Sequence, residues 1–153
     1  MVEKFDLPQG NYLPADSEIV LTLAGPKLHG LHVTDSKLNY HGSITIDQEI
    51  LAEAGLYPLE FVNIWNKQSG ARISTYVLPG PEASRVCCLN GAAARTCQIG
   101  DCLIITSERK LPRRLLDSYS VSVLTFHSDN SIDQRLSYRL DLSTRGCLFC
   151  LSG

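Results

Sequence analysis

The residues of this 153-residue sequence that most often carry catalysis do not form a standard motif. The four histidines make no H-E-x-x-H pair, and the sequence has neither a G-x-S-x-G turn nor a Walker loop. The zinc-protease, serine-hydrolase and P-loop mechanisms that depend on those spacings are therefore not predicted. His32, His41 and His127 are given no catalytic role.

Among the six cysteines, one pair has a spacing that suggests chemistry. Two residues separate Cys147 from Cys150, as in half of a zinc site or a redox pair, but no second pair at metal-ligand spacing accompanies them. The other four lie in apolar strings, where a thiol packs as a small hydrophobic side chain. They are Cys87, Cys88, Cys97 and Cys102. We therefore predict no metal site.

Two glycine-containing segments could also serve a reaction. Asn90-Gly91-Ala92-Ala93-Ala94 follows a predicted strand and opens a possible helical turn, so that its backbone N–H groups could face an anion. A close-packed turn explains the same residues equally simply. Gly42-Ser43 lies in a loop-like segment, and by itself this dipeptide predicts nothing specific.

The elements that position these residues belong to one globular domain. With 44% hydrophobic and 20% charged residues and a net charge of -2, the chain is neither disordered nor a basic nucleic-acid-binding protein. Its first residues lack the apolar run of a secretory signal, and no apolar stretch approaches the ~20 residues of a membrane span. These features predict a cytoplasmic protein with no nucleic-acid and no membrane partner.

Hydrophobic residues alternate with a period of two along most of the chain, which predicts short strands. The predicted strands are residues 19–23, 27–33, 61–65, 71–78, 85–89 and 102–106. Asp47 is expected to cap a short helix at 48–54 that stops at Gly55, and a second helical turn is expected at 92–96. The pattern predicts a small, mainly β barrel.

Taken together, the ordered motifs of residues 19–107 resemble one family, the pyruvoyl-dependent aspartate 1-decarboxylases. The matching blocks are K-L-H at 27–29, V-T at 33–34, L-N-Y-H-G-S at 38–43, I-D-Q at 46–48, I-W-N at 64–66, G-A-R-I-S-T-Y at 70–76, S-R at 84–85, N-G-A-A-A at 90–94 and G-D at 100–101. Pro26 departs from the family pattern, in which a small residue precedes the lysine. The resemblance implies a six-stranded double-psi β-barrel with short helices. We expect an N-terminal extension at 1–18, the barrel at 19–107, and a C-terminal segment at 108–153 that is partly associated with it.

The resemblance implies that the chain cuts itself between Gly42 and Ser43. Ser43 Oγ would attack the carbonyl carbon of Gly42, and the strained peptide and an oxyanion donor would assist this uphill step. Thr75 is the donor that the family comparison implies. Ser43 would then become a pyruvoyl group, the site of Schiff-base formation, so that neither pyridoxal phosphate nor a metal is expected. Whether maturation needs a partner protein is left open.

The resemblance also implies the substrate, L-aspartate, and the product, β-alanine for pantothenate and coenzyme A. Two substrate carboxylates require cations, and Lys27 and Arg72 are the basic residues within matching blocks. Tyr76 matches the family's proton donor. Thr75, Asn90, Gly91, Ala92 and Ala93 would hold polar atoms of the substrate. Relatives are homotetramers with sites between neighbouring subunits.

Two other functions remain open at this point. The domain could be a non-catalytic barrel that acts as a binding module, because a fold does not dictate a function. Lys27 could instead form the Schiff base. For His29, Tyr40 and Trp65, a structural role is at least as well supported as a place in the site.

Overall fold

A computed structural model of the chain describes residues 2–7, 10–142 and 147–153. Strands dominate these residues, so the predicted mainly β class is confirmed. The strands are β1 (Val2–Leu7), β2 (Val20–His32), β3 (Asp35–Lys37), β4 (Ser43–Asp47), β5 (Phe61–Asn66), β6 (Arg72–Gly80), β7 (Cys87–Asn90), β8 (Cys102–Pro112), β9 (Ser120–Phe126), β10 (Ile132–Asp141) and β11 (Cys147–Ser152). One α-helix, α1 (Gln48–Ala54), and two 3₁₀ helices, Gly91–Arg95 and Arg113–Ser118, complete the fold.

Hydrogen bonds join the strands in the order β1-β11-β10-β9-β2-β8-β5-β6-β4-β7-β3. Most neighbours are antiparallel, but β2 and β9, β3 and β7, and β4 and β6 run parallel. Among the strands that the structure describes, no pairing joins the two ends of this order. The six-stranded double-psi barrel therefore stays a prediction.

The predicted strands at 19–23 and 27–33 are one continuous strand, β2, which is bent twice. Its register with β8 shifts between Ala24 and Lys27 and again between His29 and Leu31. Pro26 occupies the first shift, where a residue without an N–H is tolerated. The turn signals in the sequence thus mark bulges within a strand rather than its ends.

The helix prediction is confirmed at both ends of α1. The Asp47 carboxylate accepts a hydrogen bond from the Glu49 N–H at 2.9 Å, as expected of an N-cap. Gly55 ends the helix in the left-handed conformation with φ of 77°. The second predicted turn corresponds to the 3₁₀ helix Gly91–Arg95.

The strand β4 was not predicted, because its short apolar alternation follows the turn-like His41, Gly42 and Ser43. Ile44 and Ile46 are fully buried and alternate with residues on the other face, so the segment forms a strand once β6 and β7 flank it. Strands β9, β10 and β11 also lie in the region where the sequence pattern was weak. Tertiary pairing therefore decides these elements.

Buried aliphatic side chains from β2, β4, β5, β6, β7 and β8 form the core. The largest fully buried ones include Leu28, Ile44, Ile64, Leu89 and Ile105. Burial of each contributes about 1.5–3 kcal/mol of transfer free energy. The core thereby holds β4 rigidly between β6 and β7. Within the described parts of the chain, no helix is long and apolar enough to cross a membrane.

Candidate active site

Ser43 is the first residue of β4, and its side chain is completely buried. Its Oγ accepts a hydrogen bond from Asn90 Nδ2 at 2.8 Å and lies 3.5 Å from the His41 carbonyl oxygen, to which it donates. Gly42, the preceding residue, is exposed. The Gly42–Ser43 peptide therefore joins an exposed loop to a fixed, hydrogen-bonded hydroxyl.

The strand register explains why Asn90 meets Ser43. The antiparallel pairing of β4 with β7 places the two residues directly opposite each other. The Asn90 side chain is 1% exposed, and its Nδ2 also donates to Thr45 Oγ1 at 2.9 Å. Thr45 lies two residues beyond Ser43 and so shares its face of β4.

Gly91 brings the backbone of the 3₁₀ helix against the Gly42 loop. Its φ is +62°, and a Cβ at this position would lie 2.9 Å from both Gly42 Cα and the Tyr40 carbonyl oxygen. Only glycine permits this conformation together with this approach. The next two residues, Ala92 and Ala93, continue the 3₁₀ helix.

Thr75 and Tyr76 lie on β6, the other neighbour of β4. The parallel pairing matches Ile44 with Val77. Tyr76 and Thr75 directly precede the first β6 residue of this pairing, as Ser43 and Gly42 directly precede Ile44. The Tyr76 ring also packs edge-to-face on Phe61, with 6.0 Å between the ring centroids.

Arg72 is exposed at the start of β6. It pairs across the sheet with Trp65 of β5 and stacks on the indole, 4.8 Å from the ring centroid. β5 and β4 flank β6 on opposite sides, so the guanidinium stacks over the neighbour of β6 that does not carry Ser43.

Lys27 is half-buried on β2, which β8, β5 and β6 separate from β4 along the hydrogen-bonded order. Its Nζ lies 5.9 Å from the centroid of the Tyr138 ring. Burial lowers the pKa of nearby His29, and the charges of Lys27 and Lys67 lower it further. The neutral imidazole is therefore favoured beside the Lys27 ammonium.

The structure thus gathers some of the predicted residues and separates others. Asn90 is hydrogen-bonded to Ser43, Gly91 lies against Gly42, and Thr75 and Tyr76 lie on β6, which pairs with β4 from Ile44 onward. Lys27 and Arg72 lie apart from this group on the sheet.

Two contacts of Asn90 were missed by the sequence reasoning. One is Thr45, whose Oγ1 accepts from Asn90 Nδ2. The other is Cys88, whose Sγ donates to Asn90 Oδ1 at 3.3 Å. Each lies two residues from a predicted site residue on the same strand, so strand alternation was the available signal. We refer to Ser43, Thr45, Cys88 and Asn90 as the Ser43 cluster.

In the described part of the chain, no three His, Cys, Asp or Glu side chains are grouped as a metal site would need. The side chain of Cys147 lies outside the described residues, so the Cys147 and Cys150 spacing is not tested by this observation.

The described residues thus form a mainly β domain in which a completely buried serine directly follows an exposed glycine and carries an amide on its hydroxyl. The sequence model of the family described as aspartate decarboxylase matches residues 19–133, and the chain belongs to this family. The match extends beyond Ser107, where the motif resemblance ends.

Curated relatives are similar to this chain over most of their own length. The chain is 54% identical to aspartate 1-decarboxylase 2 of Mesorhizobium japonicum over 126 residues, 82% of this chain and 83% of the relative. It is 55% identical to aspartate 1-decarboxylase of Xanthobacter autotrophicus over 78% of this chain and 80% of the relative. The corresponding protein of Methylobacterium nodulans is 58% identical over 73% of this chain and 74% of the relative.

Proposed function

We propose that this chain is a pyruvoyl-dependent enzyme that converts L-aspartate to β-alanine and CO₂ after cutting itself between Gly42 and Ser43. One observation carries the proposal: a completely buried serine hydroxyl, held by Asn90 at 2.8 Å, directly follows an exposed glycine in a chain of the aspartate decarboxylase family. The reaction agrees with the names of the relatives. Its product would supply pantothenate and coenzyme A synthesis.

Self-cleavage starts at the Ser43 hydroxyl. Oγ attacks the Gly42 carbonyl carbon, the amide C–N bond breaks, and the hydroxyl proton passes to the released amine, leaving an ester. Loss of the Ser43 Cα proton then breaks the Cβ–Oγ bond, frees the Gly42 carboxylate and leaves a dehydroalanine. Water hydrolyses this group, which releases its nitrogen as ammonia and supplies the oxygen of the ketone. Negative charge develops on the Gly42 carbonyl oxygen during the attack and on Oγ during the elimination. The Asn90 hydrogen bond to Oγ would therefore orient the nucleophile in the first step and stabilise the departing oxygen in the second. Thr75 would donate to the carbonyl oxygen during attack, and its position on β6, two residues before the Val77 that pairs with Ile44, supports this role.

The surroundings of Ser43 fit the group that its maturation would produce. A pyruvoyl group supplies a ketone that acts as an electron sink for decarboxylation. The Asn90 amide offers an N–H donor at this position, and Gly91 lets the backbone of the 3₁₀ helix approach the Gly42 loop. The backbone N–H groups of Gly91, Ala92 and Ala93 follow directly and would hold polar substrate atoms.

Tyr76 would donate the proton that replaces the lost carboxylate. A phenol is still protonated at neutral pH, and Tyr76 directly precedes the Val77 that pairs with Ile44 of β4, which supports this role. Lys27 and Arg72 would each bind a substrate carboxylate, Arg72 through its planar fork. No other cofactor is required for these roles.

The two cations would serve the Ser43 of a neighbouring subunit in a homotetramer. Arg72 stacks on Trp65, on the side of β6 opposite to β4, which supports this arrangement. Three large side chains at the start of β5 and in the residues before it are also exposed, with 73% exposure for Tyr57, 67% for Leu59 and 67% for Phe61, which packs on Tyr76. Contact with another copy would cover this apolar surface.

The central strands would form the six-stranded double-psi barrel, with residues 1–18 and 108–153 as its N-terminal extension and C-terminal segment. The parallel pairs β2 with β9 and β4 with β6 support a barrel of crossed loops rather than a simple meander. A cytoplasmic location remains a prediction from the sequence.

Mass spectrometry of the purified protein, together with a β-alanine assay, tests the proposal. We expect one chain that ends at Gly42 and a second that begins with a pyruvoyl group at position 43. Ser43→Ala should remain uncut and inactive, because the attacking oxygen is gone, whereas Ser84→Ala removes an exposed turn hydroxyl and should mature normally. Active wild-type enzyme that consists of one unbroken chain would refute the mechanism. Activity in Ser43→Ala would point to Lys27 instead.

A further inference from the structure

The carboxamide of Asn90 is held on three sides by side chains of β4 and β7. Nδ2 donates to Ser43 Oγ at 2.8 Å and to Thr45 Oγ1 at 2.9 Å, while Oδ1 accepts from Cys88 Sγ at 3.3 Å. Both N–H donors of the amide are therefore used, and the side chain is 1% exposed. A buried amide with this many partners has one preferred orientation.

Cys88 determines which end of the amide faces Ser43. The thiol is 3% exposed, and its contact with Asn90 Oδ1 is shorter than the 3.8 Å from Sγ to the Leu89 carbonyl oxygen. Burial raises the pKa of Cys88, and the nearby Asp35 carboxylate raises it further, so the thiol stays protonated and can donate. A donor on this side favours the carbonyl oxygen of Asn90 there and leaves the NH₂ group facing β4.

Thr45 fixes the second N–H of the same amide. Without an acceptor at Thr45 Oγ1, one N–H of Asn90 would be buried and unpaired, which is costly. The amide would then rotate or shift to recover a partner, and its hydrogen bond to Ser43 Oγ would lengthen or lose alignment.

We infer that Thr45 and Cys88 are positioning residues for self-cleavage, which act by holding the Asn90 amide on the Ser43 hydroxyl. Neither touches the scissile peptide in the contacts described above, and their effect passes through Asn90. This inference rests on the proposed self-cleavage at Gly42–Ser43 and adds residues to its machinery. Their substitution is expected to slow maturation and to leave the protein folded.

The test follows cleavage by intact mass after a pulse of protein synthesis. Cys88→Ala should slow cleavage about two- to tenfold, the range expected for loss of one neutral hydrogen bond. Cys88→Ser, which keeps a donor, should restore the rate. Cys87→Ala is the matched control, because it removes a neighbouring buried thiol that faces the core and not Asn90. It should cleave at the wild-type rate.

The same comparison, between a variant that loses the hydrogen bond and one that keeps it, can be made at Thr45 on β4. Thr45→Val should slow cleavage to a similar extent, and Thr45→Ser should restore it. If Cys88→Ala fails to fold, the two Thr45 variants decide the question in the same assay.

A double-mutant cycle separates positioning from packing. In an Asn90→Ala background, Cys88→Ala and Thr45→Val should slow cleavage no further, because the group that they orient is absent. Multiplicative slowing, or wild-type cleavage in both single variants, would overturn the inference. Failure of the wild-type chain to cleave would instead refute the proposed function, so the two failures are distinguishable.

Discussion

The Ser43 cluster and the two cations Lys27 and Arg72 differ in how far their polar groups are already hydrogen-bonded to other polar groups. In the Ser43 cluster, buried hydroxyl, amide and thiol groups hold one another by hydrogen bonds of 2.8–3.3 Å. The two cations instead rest on aromatic rings, 4.8 Å from Trp65 and 5.9 Å from Tyr138.

This difference matches two separate tasks. A reaction within one chain needs a nucleophile that is already oriented, and the Ser43 cluster offers this before any substrate arrives. Cations that bind a dianionic substrate must remain accessible, and stacking on an aromatic ring holds them without neutralising their charge. We therefore expect substitutions in the two regions to affect maturation and turnover separately.

Substitution of Tyr76 should separate the effect on turnover from the effect on maturation by the largest factor. Tyr76→Phe keeps the ring that packs on Phe61 and deletes one hydroxyl, so the chain should fold and cut itself normally. Its kcat should fall by roughly 10²–10⁴-fold, the usual range for loss of a positioned acid. Phe61→Leu, which disturbs the same ring contact but keeps the phenol, is the control and should retain far more activity. Loss of cleavage in Tyr76→Phe would place the hydroxyl in maturation.

Arg72 should affect turnover without affecting cleavage. Arg72→Ala removes a bidentate partner for a carboxylate, and hydrogen bonds to charged groups are worth about 1.5–3 kcal/mol, so kcat/KM for aspartate should fall at least tenfold. Arg95→Ala, at the end of the 3₁₀ helix, removes another exposed arginine as the control. Unchanged kinetics in fully cleaved Arg72→Ala would contradict its assignment.

Two left-handed glycines test the close approach at the cleavage loop. Gly91→Ala and Gly55→Ala both force alanine into positive φ, which costs about 1–2 kcal/mol of stability. Only at Gly91 would the new Cβ meet the Gly42 backbone, whereas nothing lies within 4 Å at Gly55. Cleavage should therefore slow from a few-fold to tenfold in Gly91→Ala alone. Equal cleavage rates in two variants of equal thermal stability would show that this contact has no part in maturation.

The smallest expected effect is a change in the pKa of His29. Burial and the Lys27 and Lys67 charges lower its pKa below the usual 6.5, so the folded state binds its proton less readily than the unfolded state. This group therefore reduces the free energy of unfolding as pH falls below 6.5, and has no such effect well above it. Lys27→Met should raise the pKa of His29, measured by NMR titration of the ring, whereas Lys110→Met should leave it unchanged. No response to Lys27→Met would place the ammonium away from the imidazole.

The sequence predicts where the helix begins and ends better than it predicts which strands pair with one another. Asp47 and Gly55 mark the ends of α1 because capping depends on residues within one turn. Pro26 was a misleading signal, because a bulge accommodates it inside β2. The strand β4 depends on pairing with β6 and β7, which no local pattern encodes.

The residues of the candidate site likewise divide into those that sequence motifs predict and those that depend on strand pairing. Gly42 and Ser43 were predicted from the ordered family motifs, whereas the dipeptide alone carried no information. Thr45 and Cys88 were missed, since they matter only through the register that brings Asn90 between them. The direction of the Arg72 side chain likewise follows from its pairing with Trp65 across β5 and β6.

Mixed assemblies test most directly whether the two regions act across a subunit boundary. Chains with Ser43→Ala and chains with Arg72→Ala, produced together and purified through two different tags, should form assemblies that contain both. The account predicts that activity per cleaved chain rises above that of Arg72→Ala alone, because the Ser43→Ala chain contributes an intact Arg72 to its neighbour's pyruvoyl site. Activity per cleaved chain equal to that of the Arg72→Ala parent would contradict the account and place Arg72 in the same chain as the Ser43 that it serves.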